Sequence, residues 1–167
     1  TYAANVSVSG GEASLVLASS SSGSLIHTGY ASGRYTLPVN GYTEARIFFS
    51  GGGGSCNNWA AWWASGPSWP SAGEHDIAEV LSSKLTVNYH SGSGAHNQGA
   101  IAGTWCGAYH TYGLWRKSGS AEVYWDGVKV KSYSTDDNKA GEELILNVGK
   151  GSSYGSAGVM KVDYVRA

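Results

Sequence analysis

Three carboxylates, Glu74, Asp76 and Glu79, fall within six residues of the segment Trp69-Pro70-Ser71-Ala72-Gly73-Glu74-His75-Asp76-Ile77-Ala78-Glu79-Val80-Leu81. The whole chain carries only twelve acidic residues, so this is a local concentration of acid. In a regular β-strand Glu74 and Asp76 share one face and Glu79 points to the other, because successive side chains alternate. One extra residue at Ile77-Ala78, a β-bulge, would return Glu79 to the face of the other two. Three acids lining one face repel each other, which should hold at least one of them protonated. An ionised carboxylate facing a protonated carboxyl, roughly 5 to 5.5 Å apart, is what cleavage of a glycosidic bond with retention of configuration requires. Glu74 would attack the anomeric carbon and Glu79 would donate the proton. The plainer reading of an isolated E-x-D-x-x-E is a row of solvated carboxylates on the outward face of an edge strand.

The elements that must position these acids are strands. Apolar residues recur at period two and in short runs, separated by Gly, Ser and Asn clusters, and no segment shows a convincing helical period. Strands are predicted over 6–9, 14–18, 34–38, 43–50, 59–64, 74–82, 86–90, 110–116, 122–125, 128–132, 143–148 and 159–165. Short strands at this spacing imply a sandwich or barrel. Asp126-Gly127 between Val123-Tyr124-Trp125 and Val128-Lys129-Val130 predicts a tight hairpin, since a type I′ turn needs positive φ at both central residues. The Gly run 51–54 reads as a loop within the domain, because apolar strands flank it closely, and residues 1–167 read as one domain.

Composition narrows the partners. Charged residues make up 14% of the chain against a norm of about 25%, while aromatics reach 12%, with seven Trp and eleven Tyr. A neutral, aromatic surface suits neutral sugars. The formal net charge of -1 and the lack of any Lys/Arg cluster exclude the electrostatic footprint of a nucleic-acid binder. No apolar run approaches the roughly 20 residues of a membrane span, and the first residues lack the regions of a signal peptide, so the chain is expected to be secreted with any export signal already removed, and monomeric. Cys56 and Cys106 could form a disulfide in an oxidising compartment or remain two buried thiols. The five histidines lack ligand spacing and no catalytic metal or cofactor is assigned. A G-x-S-x-G elbow and a P-loop are both missing. Asn5-Val6-Ser7 is a formal glycosylation sequon, too short to carry weight.

The segment from Gly73 to Glu79 resembles the active-site strand of glycoside hydrolase family 16, and the resemblance extends along nearly the whole chain. Upstream, Tyr42-Thr43-Glu44-Ala45-Arg46-Ile47 is similar to the family's G-x-x-E-A-R-I strand and Asn58-Trp59-Ala60-Ala61-Trp62-Trp63 to its G-L-W-P-A-x-W segment. Downstream, Thr86-Val87-Asn88-Tyr89-His90, Tyr109-His110-Thr111-Tyr112-Gly113-Leu114, Tyr124-Trp125-Asp126-Gly127, Leu144-Ile145-Leu146-Asn147-Val148 and Val162-Asp163-Tyr164-Val165-Arg166 continue the pattern in order. The resemblance implies an all-β fold, a β-jelly-roll sandwich of two antiparallel sheets with a concave glycan-binding face. It makes Glu74 the nucleophile, Glu79 the acid/base and Asp76 the helper that tunes Glu74. Three departures stand out: the N-terminal segment that usually precedes the first strand is missing, Trp115-Arg116 replaces the usual Glu-Trp, and the loops are short.

Among the other candidates, Trp69 falls where the family would place a ring beside the scissile sugar. Trp63 and Trp115 are further platform candidates, whereas Trp125, beside the hairpin, reads as structural. Asn88 and His90 share a strand face that would give polar groups to the cleft, or else form a structural pair. Arg46, on one face with Glu44, would hold a sugar hydroxyl or pair with Glu74, or else make a plain cross-strand ion pair. Asp163 matches a family position that can ligate a structural calcium. The bulged motif and the preceding Trp-Pro look like the laminarinase type, which implies an endo-acting enzyme on β-1,3-glucan, with mixed-linkage β-1,3-1,4-glucan second. A non-catalytic, lectin-like sandwich could share the aromatic face but would have no use for the carboxylate pair, and a structural coat protein would need neither.

Overall fold

In a computed structural model the described residues are 3–29, 34–151 and 158–167, and nearly all of the regular structure is β. The strands, in chain order, are β1 (Val6–Ser9), β2 (Glu12–Leu17), β3 (Ser24–His27), β4 (Tyr42–Phe49), β5 (Gly51–Gly52), β6 (Ser55–Cys56), β7 (Trp59–Ser65), β8 (Glu74–Leu81), β9 (Lys84–Ser91), β10 (Gly94–Ala100), β11 (Tyr109–Lys117), β12 (Ser120–Trp125), β13 (Val128–Ser134), β14 (Glu143–Gly149) and β15 (Gly158–Arg166). A single 3-10 turn, Ala3–Asn5, precedes β1. Two antiparallel sheets make a β-jelly-roll sandwich: a seven-stranded one in the order β1-β2-β15-β4-β11-β12-β13 and a six-stranded one in the order β10-β9-β8-β7-β14-β3. β5 and β6 form a small separate ribbon across the Gly run, so that run is a loop inside the domain.

Alternation builds the seven-stranded sheet. In β4, Thr43, Ala45, Ile47 and Phe49 are buried and the residues between them are not; in β12 the buried set is Ala121, Val123 and Trp125. These inward residues meet Trp62, Ile77, Val80, Val87 and Leu146 of the opposite sheet in one continuous core. β8 and β9 depart from alternation, because almost every residue in them is buried. One face of each packs on the core and the other forms the floor of a cleft.

β8 contains the bulge expected from its acids. Asp76 pairs with Asn88 and Glu79 with Thr86 on β9, so Ile77 and Ala78 together oppose the single residue Val87. The register against β7 breaks at the same place. A bulge leaves backbone groups without ladder partners, and inside a core that costs about 1–3 kcal/mol per group unless another donor arrives. Here the fully buried Trp125 of the opposite sheet donates its indole N–H to the carbonyl of Ile77 at 3.0 Å. Thr86 Oγ1 donates to the Glu79 carbonyl at 3.0 Å. Trp125 is thus structural, as its sequence context implied.

The hairpin at Asp126-Gly127 has positive φ at both positions, 48° and 75°, and closes Trp125 against Val128. Cys56 and Cys106 form a disulfide with Cα atoms 5.4 Å apart, which ties the end of the ribbon to the loop before β11. Other expectations change. Residues 34–38 are not a strand; only Leu37 makes a bridge, exchanging both backbone hydrogen bonds with Glu142, and Pro38 has no N–H with which to extend it. Two strands carried too weak a pattern to predict: β3 is four residues long, and β10, Gly-Ala-His-Asn-Gln-Gly-Ala, is an edge strand held by backbone pairing to β9. Asn5 of the sequon has its amide committed to Ser22 and Gly23, a structural role.

Replacing Trp125 with Phe keeps an aromatic in the core but leaves the Ile77 carbonyl without its donor. We expect Trp125→Phe to lose about 1–3 kcal/mol in denaturant unfolding. A variant as stable as the parent would show that the bulge needs no indole.

Candidate active site

The bulge delivers all three acids to one face. On that face Glu74 pairs across the ladder with His90, Asp76 with Asn88 and Glu79 with Thr86 on β9; on the other flank Ser65, Trp63 and Ala61 of β7 face the same acids. Above this floor lies an open cleft of about 480 Å³, and Glu74, Asp76, Glu79, Trp59, Trp63 and Trp69 line it. β14 and β3 extend the wall, with Asn147 and Leu25 in register beside Ala61. Lys150 brings a cation to the rim.

The reverse face of β8 is equally polar at one point. His75, between Glu74 and Asp76, turns into the interior, stacks on Tyr89 with ring centroids 4.9 Å apart and hydrogen-bonds the Tyr133 hydroxyl through Nδ1 at 2.9 Å. Its Nε2 stands 3.5 Å from Glu142 and 3.8 Å from Asp137, and the buried Arg116 binds both acids at 3.1 and 3.0 Å. Arg116 also donates to the carbonyls of Leu37 and Ala140. Burial works against ionised Asp137, yet its bonds to His75 and Arg116 hold it down at about 2; burial raises Glu142, against the pull of His75 and Arg116. This cluster seats the 135–142 loop behind β8.

In the cleft, burial is the first cause of the charge states. Burial and then the neighbouring Asp76 raise Glu74 to about 7, opposed by His90 and by the Trp69 indole, which donates to it. Burial and Asp76 also raise Glu79. Glu79 has more help in staying ionised: Trp59 Nε1 donates to Oε1 and Asn88 Nδ2 to Oε2, both at 2.8 Å. His90 lies 3.4 Å from Asp76 and 3.7 Å from Glu74, and its hydrogen bond to Asp76 raises its own affinity for a proton against the effect of burial. Glu74 and Glu79 thus both hold a proton more readily than an ordinary carboxylate.

The structure therefore brings together Glu74, Asp76, Glu79, Trp69, Trp63, Asn88 and His90. Trp69 projects over the cleft and remains 64% exposed. Trp63 lines the wall and donates to Asn147 at 2.8 Å. Two placements in the cleft fail because the residues belong to the other sheet, while the alternative reading of Arg46, a plain cross-strand ion pair, holds. Trp115 points outward from β11 with Lys117 Nζ over its ring at 3.9 Å. Arg46 points outward from β4 and pairs with Asp163 at 2.8 Å, a cross-strand ion pair with a different acid from Glu44. The same contact engages Asp163, the calcium candidate, with a guanidinium, and Asp163 joins no group of three His, Cys, Asp or Glu side chains among the described residues.

Two groups of described residues could hold a metal, Glu74 with Asp76 and His90, and His75 with Asp137 and Glu142. In the second, Arg116 already supplies the cation. Sequence reasoning missed Trp59, Asn147 and Lys150. Trp59 was accessible, since it lies two alternations from Trp63 on the same strand face. Asn147 carried a weaker signal as the lone polar residue inside Leu144-Ile145-Leu146-Asn147-Val148, and Lys150 carried none.

A family model described as the XgeA-like, catalytic GH16 domain matches residues 48–141. No curated protein sequence matches the chain. Among solved structures, the chain is similar to the GH16 protein of the Bacteroides ovatus mixed linkage glucan PUL in complex with a product, at 20% identity and a TM-score of 0.76, covering 99% of this chain and 86% of that one. It is similar to the laminarinase from Flavobacterium sp. UMI-01 at 19% identity and a TM-score of 0.76, covering 96% and 80%. It is also similar to the catalytic domain of an endo-1,3-beta-glucanase (laminarinase) from Thermotoga petrophila RKU-1 at 20% identity and a TM-score of 0.71, covering 97% and 79%. At these identities the likeness is one of fold.

The coupling of the acids is measurable directly. Asp76→Asn removes the negative neighbour and should move Glu74 down from about 7 in a carboxyl-detected NMR titration. A Glu74 titration indifferent to that change would show that burial alone sets it.

Proposed function

The chain belongs to glycoside hydrolase family 16, and from that membership we propose that it is an endo-acting, retaining hydrolase of β-glucan, with β-1,3-glucan as its substrate. The observation that carries the reading is the bulge in β8, which sets Glu74, Asp76 and Glu79 on one floor beneath indole rings in an open cleft. Glu74 attacks the anomeric carbon while Glu79 protonates the departing glycosidic oxygen, leaving a glycosyl ester on Glu74. Glu79, now a carboxylate, takes a proton from water, and that water's oxygen attacks the anomeric carbon and frees Glu74. Asp76, between the two, sets how readily Glu74 ionises. Trp69 and Trp63 offer ring faces to sugar rings, and Asn88 steadies Glu79.

The resemblance of the Trp69-Pro70 approach and the bulged motif to the laminarinase type supports β-1,3-glucan. The likeness to the Bacteroides ovatus protein, as close in fold, supports mixed-linkage glucan as the second reading. The cleft's openness supports cutting within chains, and the Cys56–Cys106 disulfide supports a site of action outside the reducing cytoplasm. A panel of polysaccharides separates these readings. The expected outcome is release of mixed oligosaccharides from β-1,3-glucan from the first minutes; glucose as the sole early product would overturn the endo reading, and exclusive action on mixed-linkage glucan would shift the substrate.

The roles of the two glutamates rest on a covalent intermediate, and azide distinguishes them. Glu74→Gly opens space below the anomeric carbon, so azide attacks an activated β-glycoside directly and one inversion yields an α-glycosyl azide. Glu79→Gly still forms the glycosyl-enzyme from a good leaving group, and azide then gives a β-glycosyl azide by two inversions. The opposite pairing of products would exchange the roles, and full activity in both variants would remove the site from β8.

A further inference from the structure

The donors on Glu79 are arranged for the wrong protonation state. A general acid must carry a proton on an oxygen aimed at the glycosidic bond, yet in this cleft both oxygens of Glu79 accept from amide or indole N–H groups. An indole N–H is a donor only, and it binds a carboxylate oxygen more strongly than a protonated one, so its bond to Oε1 favours the ionised form. Opening either bond removes a donor that favours the carboxylate and lets Glu79 hold its proton more readily. Asn88 is poorly placed to move: it is 3% exposed, and the same Nδ2 that binds Glu79 also binds Thr86 Oγ1 at 3.1 Å. Trp59 is well placed to move. It is 46% exposed at the start of β7, and it forms the partition between the main cleft and a depression of about 240 Å³ lined by Asn58, Val80, Leu81, Ser82, Ser83 and Gly151.

We infer that Trp59 is a positioning residue that clamps Glu79 as a carboxylate in the empty cleft and releases Oε1 when a glycan chain displaces its ring toward the depression. The inference rests on the reading of Glu79 as the acid/base. On release, Glu79 loses one donor to its ionised form and takes a proton from solvent onto Oε1. That proton passes to the glycosidic oxygen as the bond to the anomeric carbon breaks. Water restores it to Glu79 in the second half of the reaction, and the hydroxide portion adds to the sugar, so each cycle consumes one water. The charged groups sharing the cleft with Glu79 are Asp76 and Glu74 on its own strand, His90 on β9 and Lys150 on the rim. None of them changes when Trp59 is altered, so a shift in the profile reports the indole bond.

The test uses Trp59→Phe, which keeps a ring but removes the donor, with a soluble oligosaccharide whose leaving group needs protonation. The alkaline limb of kcat/KM reports Glu79 in the free enzyme and that of kcat reports it in the complex. Losing a donor to the carboxylate raises its pKa, so the kcat/KM limb should move up, on the order of half a pH unit or more. The kcat limb should stay where it is, because in the complex the bond is already open. Asn88→Ala, whose bond persists in the complex, should move both limbs. If both limbs move in Trp59→Phe, the indole stays on Glu79 through the chemistry; if neither moves, the bond does not govern Glu79. Either result overturns the inference. Glu79→Gln tests the underlying reading separately: loss of most activity together with the alkaline limb supports the acid/base role, whereas a retained alkaline limb refutes that role whatever Trp59→Phe shows.

Discussion

The single contact on which the site depends is the hydrogen bond from the Trp125 indole to the carbonyl of Ile77. Side chains on a strand alternate, and Glu79, an odd number of positions from both Glu74 and Asp76, would face the core without a bulge; the fold corrects the parity by letting Ile77 and Ala78 oppose one residue of β9. That correction frees a backbone carbonyl inside the core. Trp125, delivered by β12 from the opposite sheet, satisfies it at 3.0 Å. The tight hairpin at Asp126-Gly127 fixes where Trp125 sits, so a turn in one sheet helps determine which way an acid points in the other.

β8 is held from behind as well as from within. Between the two acids that face the cleft, His75 reaches the opposite way into a buried cluster with Arg116, Asp137 and Glu142. A buried ion cluster of this kind is a weak source of net stability, because desolvation offsets most of its Coulombic gain. Its consequence is geometric. Arg116 joins β11, the 135–142 loop and the backbone at Leu37, so β8 is flanked by a polar contact on each side of its plane. The position that departs from the family's usual Glu-Trp is thus accounted for by Arg116, which enters the core, while Trp115 faces outward on the seven-stranded sheet.

Much of this was legible in the sequence because period two is a strong rule wherever a strand buries one face. The acids, the bulge and the Asn88/His90 face follow from counting by two, and the Asp126-Gly127 hairpin follows from a turn that needs positive φ. The rule says which residues share a face, and is silent on which of two sheets a strand joins. Arg46 and Trp115 were misplaced for that reason: both lie on a face of the correct kind, but in the seven-stranded sheet, whose outer surface does not open on the cleft. β10 was illegible because edge pairing is made by backbone atoms, which small and polar side chains do not advertise. The buried cluster was hidden for the same reason that makes it unusual, since charged residues are almost never fully buried unless they are paired.

Two tryptophans make the same bond in this protein, and burial decides what the bond can do. Trp125 and Trp59 each present an indole N–H, which can donate and never accept, to one oxygen on or beside the bulge. Trp125 is fully buried among Trp105 and Tyr112, so moving it would open a cavity as well as orphan a carbonyl, and the bond is permanent scaffold. Trp59 is half exposed, and water can replace both its packing and its acceptor at little cost. A bond of that kind can be given up to an arriving sugar. The buried indole therefore holds the bulge that places Glu79, and the exposed indole holds a Glu79 oxygen by a bond that water or a sugar can replace.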